Sequence, residues 1–312
     1  MLKRIAQLAI PPAWREVWIC MDPQGHLQAT GLDAAERKQY LYHERWRAHR
    51  DREKFDSMIS FGRALPKLRR RVTHDLRVSS DGKSRASVEQ LSRERVLAGA
   101  VRLLDVGFFR IGSDDYAERN ESYGLTTMLR EHVTVTGSEL IFDFPAKSGQ
   151  RRVQAIADSD ALALVAELKH RRSGSQLLAW REEKRWTELH ADEVNEYVKR
   201  VSGGDFTAKD FRTWNATVLA AVALSDDEPE KTRAARERSV SKAVKSVAAY
   251  LGNTPAVCRA SYVDPRVIDR YLAGSTIARE VAKLPAGDPN LADARIRARI
   301  ERAVLELLED AA

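Results

Sequence analysis

Residues 251–265 read Leu251-Gly252-Asn253-Thr254-Pro255-Ala256-Val257-Cys258-Arg259-Ala260-Ser261-Tyr262-Val263-Asp264-Pro265. Gly252 is a helix stop, because glycine enters the left-handed region without a steric penalty. Thr254-Pro255 is a start signal, a capping hydroxyl followed by a proline whose φ is already helical. Asp264-Pro265 ends whatever begins there, since proline pushes the residue before it out of the helical region. Tyr262 therefore sits at the end of a short helix wedged between two others. Such a tyrosine either packs into a core or presents its hydroxyl at a joint between helices.

Moving upstream, residues 239–251 read as the helix that Gly252 stops, and residues 226–238 as a highly charged connector. Before it, Thr207-Ala208-Lys209-Asp210 opens another helix, with Thr207 as its cap and Phe211, Trp214, Val218, Leu219 and Val222 as its apolar face. Arg212 falls in its first turn. A cation is poorly placed at the positive end of a helix but well placed to grip an anion there. Helices are also expected over 159–171 and 191–201, the latter broken by Gly203-Gly204. Downstream, residues 266–272 form a short helix. Leu291, Ile296, Ile300, Val304, Leu307 and Leu308 mark an amphipathic C-terminal one.

The segments 132–135, 140–144 and 152–156 alternate as strands of a small antiparallel sheet, turning at Thr136-Gly137-Ser138 and again at 145–150. Lys147 lies in that second hairpin loop, either simply solvated or free to swing onto a ligand. Residues 85–109 read as a long buried helix with Leu91, Val96, Leu97, Val101, Leu104 and Phe108 as anchors. It runs into Phe109-Arg110-Ile111-Gly112-Ser113, then Tyr116, Asn120 and Tyr123-Gly124-Leu125-Thr126-Thr127. An arginine in that apolar setting needs an anionic partner, a structural carboxylate or a bound phosphate.

At the N-terminal end, Val17-Trp18-Ile19-Cys20, the turn Asp22-Pro23-Gln24-Gly25 and the segment 27–30 make a hairpin. Arg37-Lys38-Gln39-Tyr40-Leu41-Tyr42-His43-Glu44-Arg45-Trp46 interleaves cations, an amide and aromatics, the mixture used to contact phosphates and base edges. The alternative is a short strand or helix with inward-packed aromatics. A charged helix follows over 49–62, and Pro66, ahead of Lys67-Leu68-Arg69-Arg70-Arg71, interrupts the helical pattern. The expected organisation is α+β: an N-terminal lobe, 1–64, with an antiparallel sheet, and a mainly helical lobe, 65–312, with one small antiparallel sheet.

The chain has 312 residues, a net charge of +7, a pI near 9.4 and a mean hydropathy of -0.45. That describes a soluble basic protein and favours a polyanionic partner, nucleic acid before anionic membrane, with a ribosome-associated or merely basic protein the alternative on charge alone. Cys20 and Cys258 are its only cysteines and match no paired motif, so zinc and a disulfide framework are not expected and a reducing compartment fits. The first twelve residues are too short for a signal peptide, and no apolar run approaches a membrane span, which predicts an intracellular, cytoplasmic protein. Phosphate-binding glycine loops of the Walker or dinucleotide type are absent from the sequence, so ATP and NAD are not indicated.

Arg110, Lys147, Arg212, Asn253 and Tyr262, in this order and in these settings, resemble the catalytic set of poxvirus-like type IB DNA topoisomerases, in their bacterial branch. The resemblance is carried by Phe109-Arg110-Ile111-Gly112 with Tyr123-Gly124-Leu125, by Lys147 in a sheet hairpin, by Lys209-Asp210-Phe211-Arg212-Thr213-Trp214, by Gly252-Asn253-Thr254-Pro255 and by Ser261-Tyr262. It covers nearly the whole chain, since Arg37, Lys38, Gln39, Tyr40 and Tyr42 match the segment that such enzymes place in the DNA major groove.

The resemblance implies a monomer that closes as a C-shaped clamp on double-stranded DNA. Tyr262 is implied as nucleophile, Arg110 and Arg212 as the clamp on the phosphate, and Lys147 as proton donor to the leaving 5′ oxygen. Tyr116 and Lys209 are implied as further DNA contacts, with no metal or other cofactor. Asn253 departs from the histidine usual at its position, and an amide donates a hydrogen bond but moves no proton at neutral pH. A tyrosine recombinase shares this chemistry but carries histidines where Lys209 and Asn253 stand. A catalytically inert DNA-binding protein would satisfy the charge alone.

Overall fold

In a computed structural model, the protein is described over residues 2–77, 91–114, 117–118, 121–183, 185–225, 232–284 and 290–310. Tyr116 and Asn120 lie outside the described residues. The chain divides into two compact units, Met1–Ser57 and Met58–Ala312.

The first unit holds α1 (Leu2–Gln7) and a sheet in the order β1-β2-β3, with β1 Arg15–Ile19, β2 Leu27–Leu32 and β3 Lys38–Tyr42. The 17–30 hairpin is present, and the Arg37–Trp46 segment resolves into strand β3 followed by a helix. Register pairs Trp18 with Thr30 and Thr30 with Tyr40, so Trp18 and Tyr40 share one face; each is 50% exposed.

Helix α2 (Glu44–Arg77) starts earlier than expected and passes through Pro66 without ending. Interior proline costs about 3 kcal/mol. Packing outweighs it here, because Phe61, Leu65 and Leu68 are all buried and Trp214 lies where a Gly62 Cβ would stand, 2.6 Å away. Part of the basic run after Pro66 is structural: Arg69 binds Asp105 and Glu301, and Arg71 binds Asp75.

In the second unit, α3 (Arg93–Gly107) is the central helix; of the 85–109 expectation, residues 85–90 lie outside the described set. Ser92 caps its start and Phe108, left-handed at φ 55°, ends it. Around α3 pack α4 (Ser159–Lys169), α5 (Ala191–Ser202) and α6 (Ala208–Ala223). The α3–α4 approach is close enough that a Cβ on Gly99 would strike Leu164 at 1.9 Å.

The expected sheet is present as β4 (Val133–Val135), β5 (Leu140–Pro145) and β6 (Arg151–Ile156), all antiparallel. A two-stranded hairpin, β7 (Ala179–Glu182) with β8 (Arg185–Glu188), was not anticipated, its strands being only four residues each. The chain finishes with α7 (Arg233–Leu251), α8 (Pro255–Ser261), α9 (Pro265–Ala273), α10 (Ala278–Val281) and α11 (Ala294–Glu309). Helix α7 begins at Arg233, inside the expected connector, with Thr232 as its cap. No described helix is long and apolar enough to cross a membrane.

Candidate active site

The joint read first in the sequence is built as its residues dictate. Gly252 adopts φ 65° and closes α7; the Thr254 hydroxyl accepts from Val257 N at 3.3 Å, with Pro255 in the first turn of α8. Tyr262 terminates α8, its N–H donating to Cys258 O at 2.9 Å, and Asp264 caps α9. Cys258 is fully buried one turn behind the tyrosine. Burial pushes its thiol pKa up.

Arg212 lies in α6 at 3% exposure, with its guanidinium carbon 5.4 Å from the Tyr262 ring centre. The sequence suggested that it would act beside the free amides of its own helix. Instead its guanidinium reaches the carbonyl ends of two other helices, donating to Phe108 O after α3 and to Leu251 O of α7, the latter at 3.0 Å. Its Nε is buried without a hydrogen-bond partner. Burial, then the neighbouring Arg110, bring its pKa down to about 10, so it stays charged at neutral pH.

Phe108 throws the chain out of α3 and places Arg110 across the same joint. Arg110 Nη2 donates to Gly252 O at 2.9 Å and to Asn253 Oδ1 at 2.5 Å. Because the Asn253 oxygen is taken, its amide nitrogen is turned elsewhere, and that Nδ2 is buried without a partner. The Arg110 backbone is fixed by Leu125 N donating to Arg110 O at 2.8 Å. Gly124 is required at that crossing, since a Cβ there would meet Gly112 Cα at 2.3 Å.

Lys147 opens a single 3-10 turn, Lys147–Gly149, between β5 and β6, and is exposed. It shares with Arg110, Arg152, Tyr250 and Gly252 the lining of a 370 Å³ cavity. The structure thus connects Arg110, Arg212, Asn253 and Tyr262 through one helix joint, with Lys147 on the cavity that opens beside it.

The electrostatics of this joint are unusual. Among the described residues, neither Arg152 nor Arg212 pairs with a carboxylate; the acceptors they hold are carbonyls, one amide oxygen and, for Arg212, the Tyr262 side chain. The carbonyl end of a helix carries about half a negative charge. Two such ends, of α3 and α7, steady the guanidiniums without cancelling them, as an acid would. A desolvated cluster of cations with spare donors is a receptor for an anion. No described group of His, Cys, Asp or Glu is arranged to hold a metal ion.

A family profile described as the catalytic core of eukaryotic DNA topoisomerase I matches residues 43–280. The chain belongs to the type IB topoisomerase family. A profile for the N-terminal domain of bacterial DNA topoisomerase IB matches residues 1–33. DNA topoisomerase 1B of Acanthamoeba polyphaga mimivirus is 30% identical over 278 residues, 86% of this chain and 80% of the viral one. This protein is a topoisomerase, an isomerase that acts on DNA.

In this topoisomerase the residues expected to contact DNA divide. Lys38, Tyr40 and Tyr42 alternate onto one face of β3, where the Tyr40 and Tyr42 rings stack and Lys38 Nζ stands 6.0 Å from the Tyr40 ring. Trp46, which the sequence reading quoted but did not select, continues the stack 4.2 Å from Tyr42. Arg37 and Gln39 are tethered to Asp33, at 2.9 Å each. The Arg37 hydrogen bonds hold Asp33 down to about 2. Lys209 is exposed in the first turn of α6. Arg152 is the functional candidate that the sequence reading missed. Strand periodicity named it only as part of β6, and no local signal announces a side chain that acts on a helix ninety-eight positions away.

Proposed function

We propose that this type IB topoisomerase relaxes supercoiled duplex DNA by transient cleavage of one strand, with Tyr262, Arg110, Lys147, Arg212 and Asn253 as its catalytic residues. The observation that carries the proposal is Arg212, buried against the Tyr262 ring, held by carbonyls and by Tyr262 with no carboxylate, and with its Nε unspent. A phosphodiester supplies the missing acceptor. In the transition state, charge gathers on its nonbridging oxygens, where Arg110 and Arg212 offer planar, permanent cations and Asn253 offers its unpartnered amide.

The Tyr262 oxygen attacks phosphorus. The Tyr–O–P bond forms as the P–O5′ bond breaks, leaving the 3′ end covalently on the protein. The phenol releases its proton to solvent, the departing 5′ oxygen takes one from Lys147, and Lys147 regains one from solvent, so protons balance over the step. Religation runs the same path backwards after the free end has rotated. The covalent bond conserves the energy of the broken one, so neither ATP nor a metal ion enters this scheme. The N-terminal unit, through Lys38, Tyr40 and Tyr42, and less directly Arg37 and Gln39, reads the duplex that the larger unit cuts; Lys209 adds a backbone contact. We further propose a monomer that closes both units on one duplex in the cytoplasm.

The test is relaxation of a supercoiled plasmid in EDTA without ATP, with parallel trapping of the protein on DNA by denaturant. Relaxation with a trapped adduct on Tyr262 supports the proposal. A shift in plasmid mobility by binding alone, without relaxation, would identify an architectural DNA binder. Recombinant products joining two sites would identify a recombinase.

A further inference from the structure

Arg152 lies in β6, paired in register with Phe144 of β5, and lines the same cavity as Lys147, yet its side chain is spent on the helix joint. Its Nη1 donates to Leu251 O at 3.1 Å and its Nη2 to Tyr250 O at 3.3 Å. Its Nε and Nη2 grip Gln154 Oε1 at 3.1 and 2.8 Å. Gln154 in turn donates from Nε2 to Gly107 O at 2.7 Å. One chain of hydrogen bonds therefore runs from the carbonyl end of α3, across β6, to the carbonyl end of α7. Burial, then Arg110, lower the Arg152 pKa, so the fold keeps a costly cation beside another.

Two roles are open to such a residue, direct phosphate contact or placement of its neighbours. The donor count separates them. A guanidinium has five N–H groups, and four hydrogen bonds already engage them with protein acceptors on three different residues. Arg212, by contrast, keeps its buried Nε unengaged. The acceptors of Arg152 are also the ones that matter: Leu251 O is shared with Arg212, and the next residues, Gly252 and Asn253, are those that Arg110 holds.

We propose that Arg152 is a positioning residue of the cleavage step, which locks the end of α7 to the strand leading from Lys147 and so holds Gly252-Asn253 against Arg110. The proposal rests on the catalytic reading above. It adds that the third arginine acts through Asn253 and Arg110 rather than on the phosphate itself.

The experiment is single-turnover cleavage of a linear duplex carrying one mapped cleavage site, at saturating protein, with duplex affinity measured separately. Arg152→Ala lowers the cleavage rate by roughly 10- to 100-fold, the scale of a misplaced catalytic group, while the Kd for duplex changes by less than about threefold. Arg152→Lys keeps the charge but cannot span two carbonyls and Gln154, and it recovers only part of the loss. The Arg152→Ala/Asn253→Ala double variant is little slower than the slower single one, because both act through one element.

Should Arg152→Ala fold poorly, Gln154→Ala removes the acceptor that orients the guanidinium, and a slower cleavage step at unchanged affinity is expected again. A defect confined to affinity and abolished at saturation makes Arg152 a phosphate contact and overturns the proposal. So does full rescue by Arg152→Lys, strict additivity with Asn253→Ala, or an unchanged rate in both Arg152→Ala and Gln154→Ala. If the parent protein forms no Tyr262 adduct, the catalytic reading itself fails, which the parent control reports independently of any Arg152 variant.

Discussion

In the proposed mechanism the four residues at the helix joint and Lys147 on the adjoining cavity have distinct jobs, and each job fails differently. Tyr262→Phe removes the attacking oxygen and leaves the ring under Arg212, so it is expected to bind duplex yet form no denaturant-resistant adduct. An adduct in that variant would move the nucleophile elsewhere. Arg110→Ala and Arg212→Ala each remove a charged donor and should slow cleavage by about 10²–10³-fold, with a smaller loss of affinity. Lys147 is separable by leaving-group chemistry. With sulfur in place of the bridging 5′ oxygen, the departing thiolate, whose parent thiol has a pKa of about 8.5, needs no proton. Lys147→Ala, slowed about 10²–10⁴-fold on ordinary DNA, should then approach the parent rate, while the two arginine variants gain much less. Equal rescue of all three, or of none, would remove Lys147 as the acid.

The elements explain what could be foreseen. Helix starts and stops were legible where a cap or a left-handed glycine announced them: Thr207, Gly252, Thr254-Pro255 and Asp264-Pro265 all stand at element boundaries. Pro66 misled, because its local penalty is overridden by side chains from α6 that no local pattern reveals. That Arg110, Arg212, Asn253 and Tyr262 meet at one joint, and what supports them there, was not legible in the sequence. That Arg212 rests on the carbonyl ends of α3 and α7 follows from tertiary placement alone. A test at this scale is Gly124→Ala. Its methyl would collide with Gly112 and stand 2.9 Å from Arg110 O, so the Arg110 backbone must shift. Cleavage should slow by up to about 10²-fold, with overpacking costing about 1–3 kcal/mol in a denaturant titration. An unchanged rate would show that the crossing of residues 110–112 with Gly124 tolerates more than its packing suggests.

At the scale of the whole larger unit, the back of α6 is tied to the C-terminal helix by a buried ionic network. Arg69 binds both Asp105 and Glu301, Arg297 binds Asp105 at 2.8 Å, and the Trp214 indole donates to Glu301 at 3.2 Å. Burial alone would raise the Asp105 pKa, but Arg297 and Arg69 pull it well below the carboxylate range. A carboxylate whose folded pKa is depressed contributes stability above its unfolded value of about 4, and loses it as pH falls below that. Asp105→Asn should therefore destabilise the protein by about 3–5 kcal/mol at neutral pH and flatten the decline of Tm below about pH 4. A Tm profile parallel to that of the parent would place the acid sensitivity in other carboxylates.

The burial of Cys258 gives the molecule a built-in clock. With only one other thiol, Cys20, in the chain, and that one partly accessible, a maleimide will label Cys20 promptly. Cys258 it will reach only when α8 swings open. The ratio of the slow labelling rate to that of an unfolded thiol reads the opening free energy of the very segment that carries Tyr262. Repeated with duplex present, the same reagent would time how long the helix that ends at Tyr262 stays shut on bound DNA.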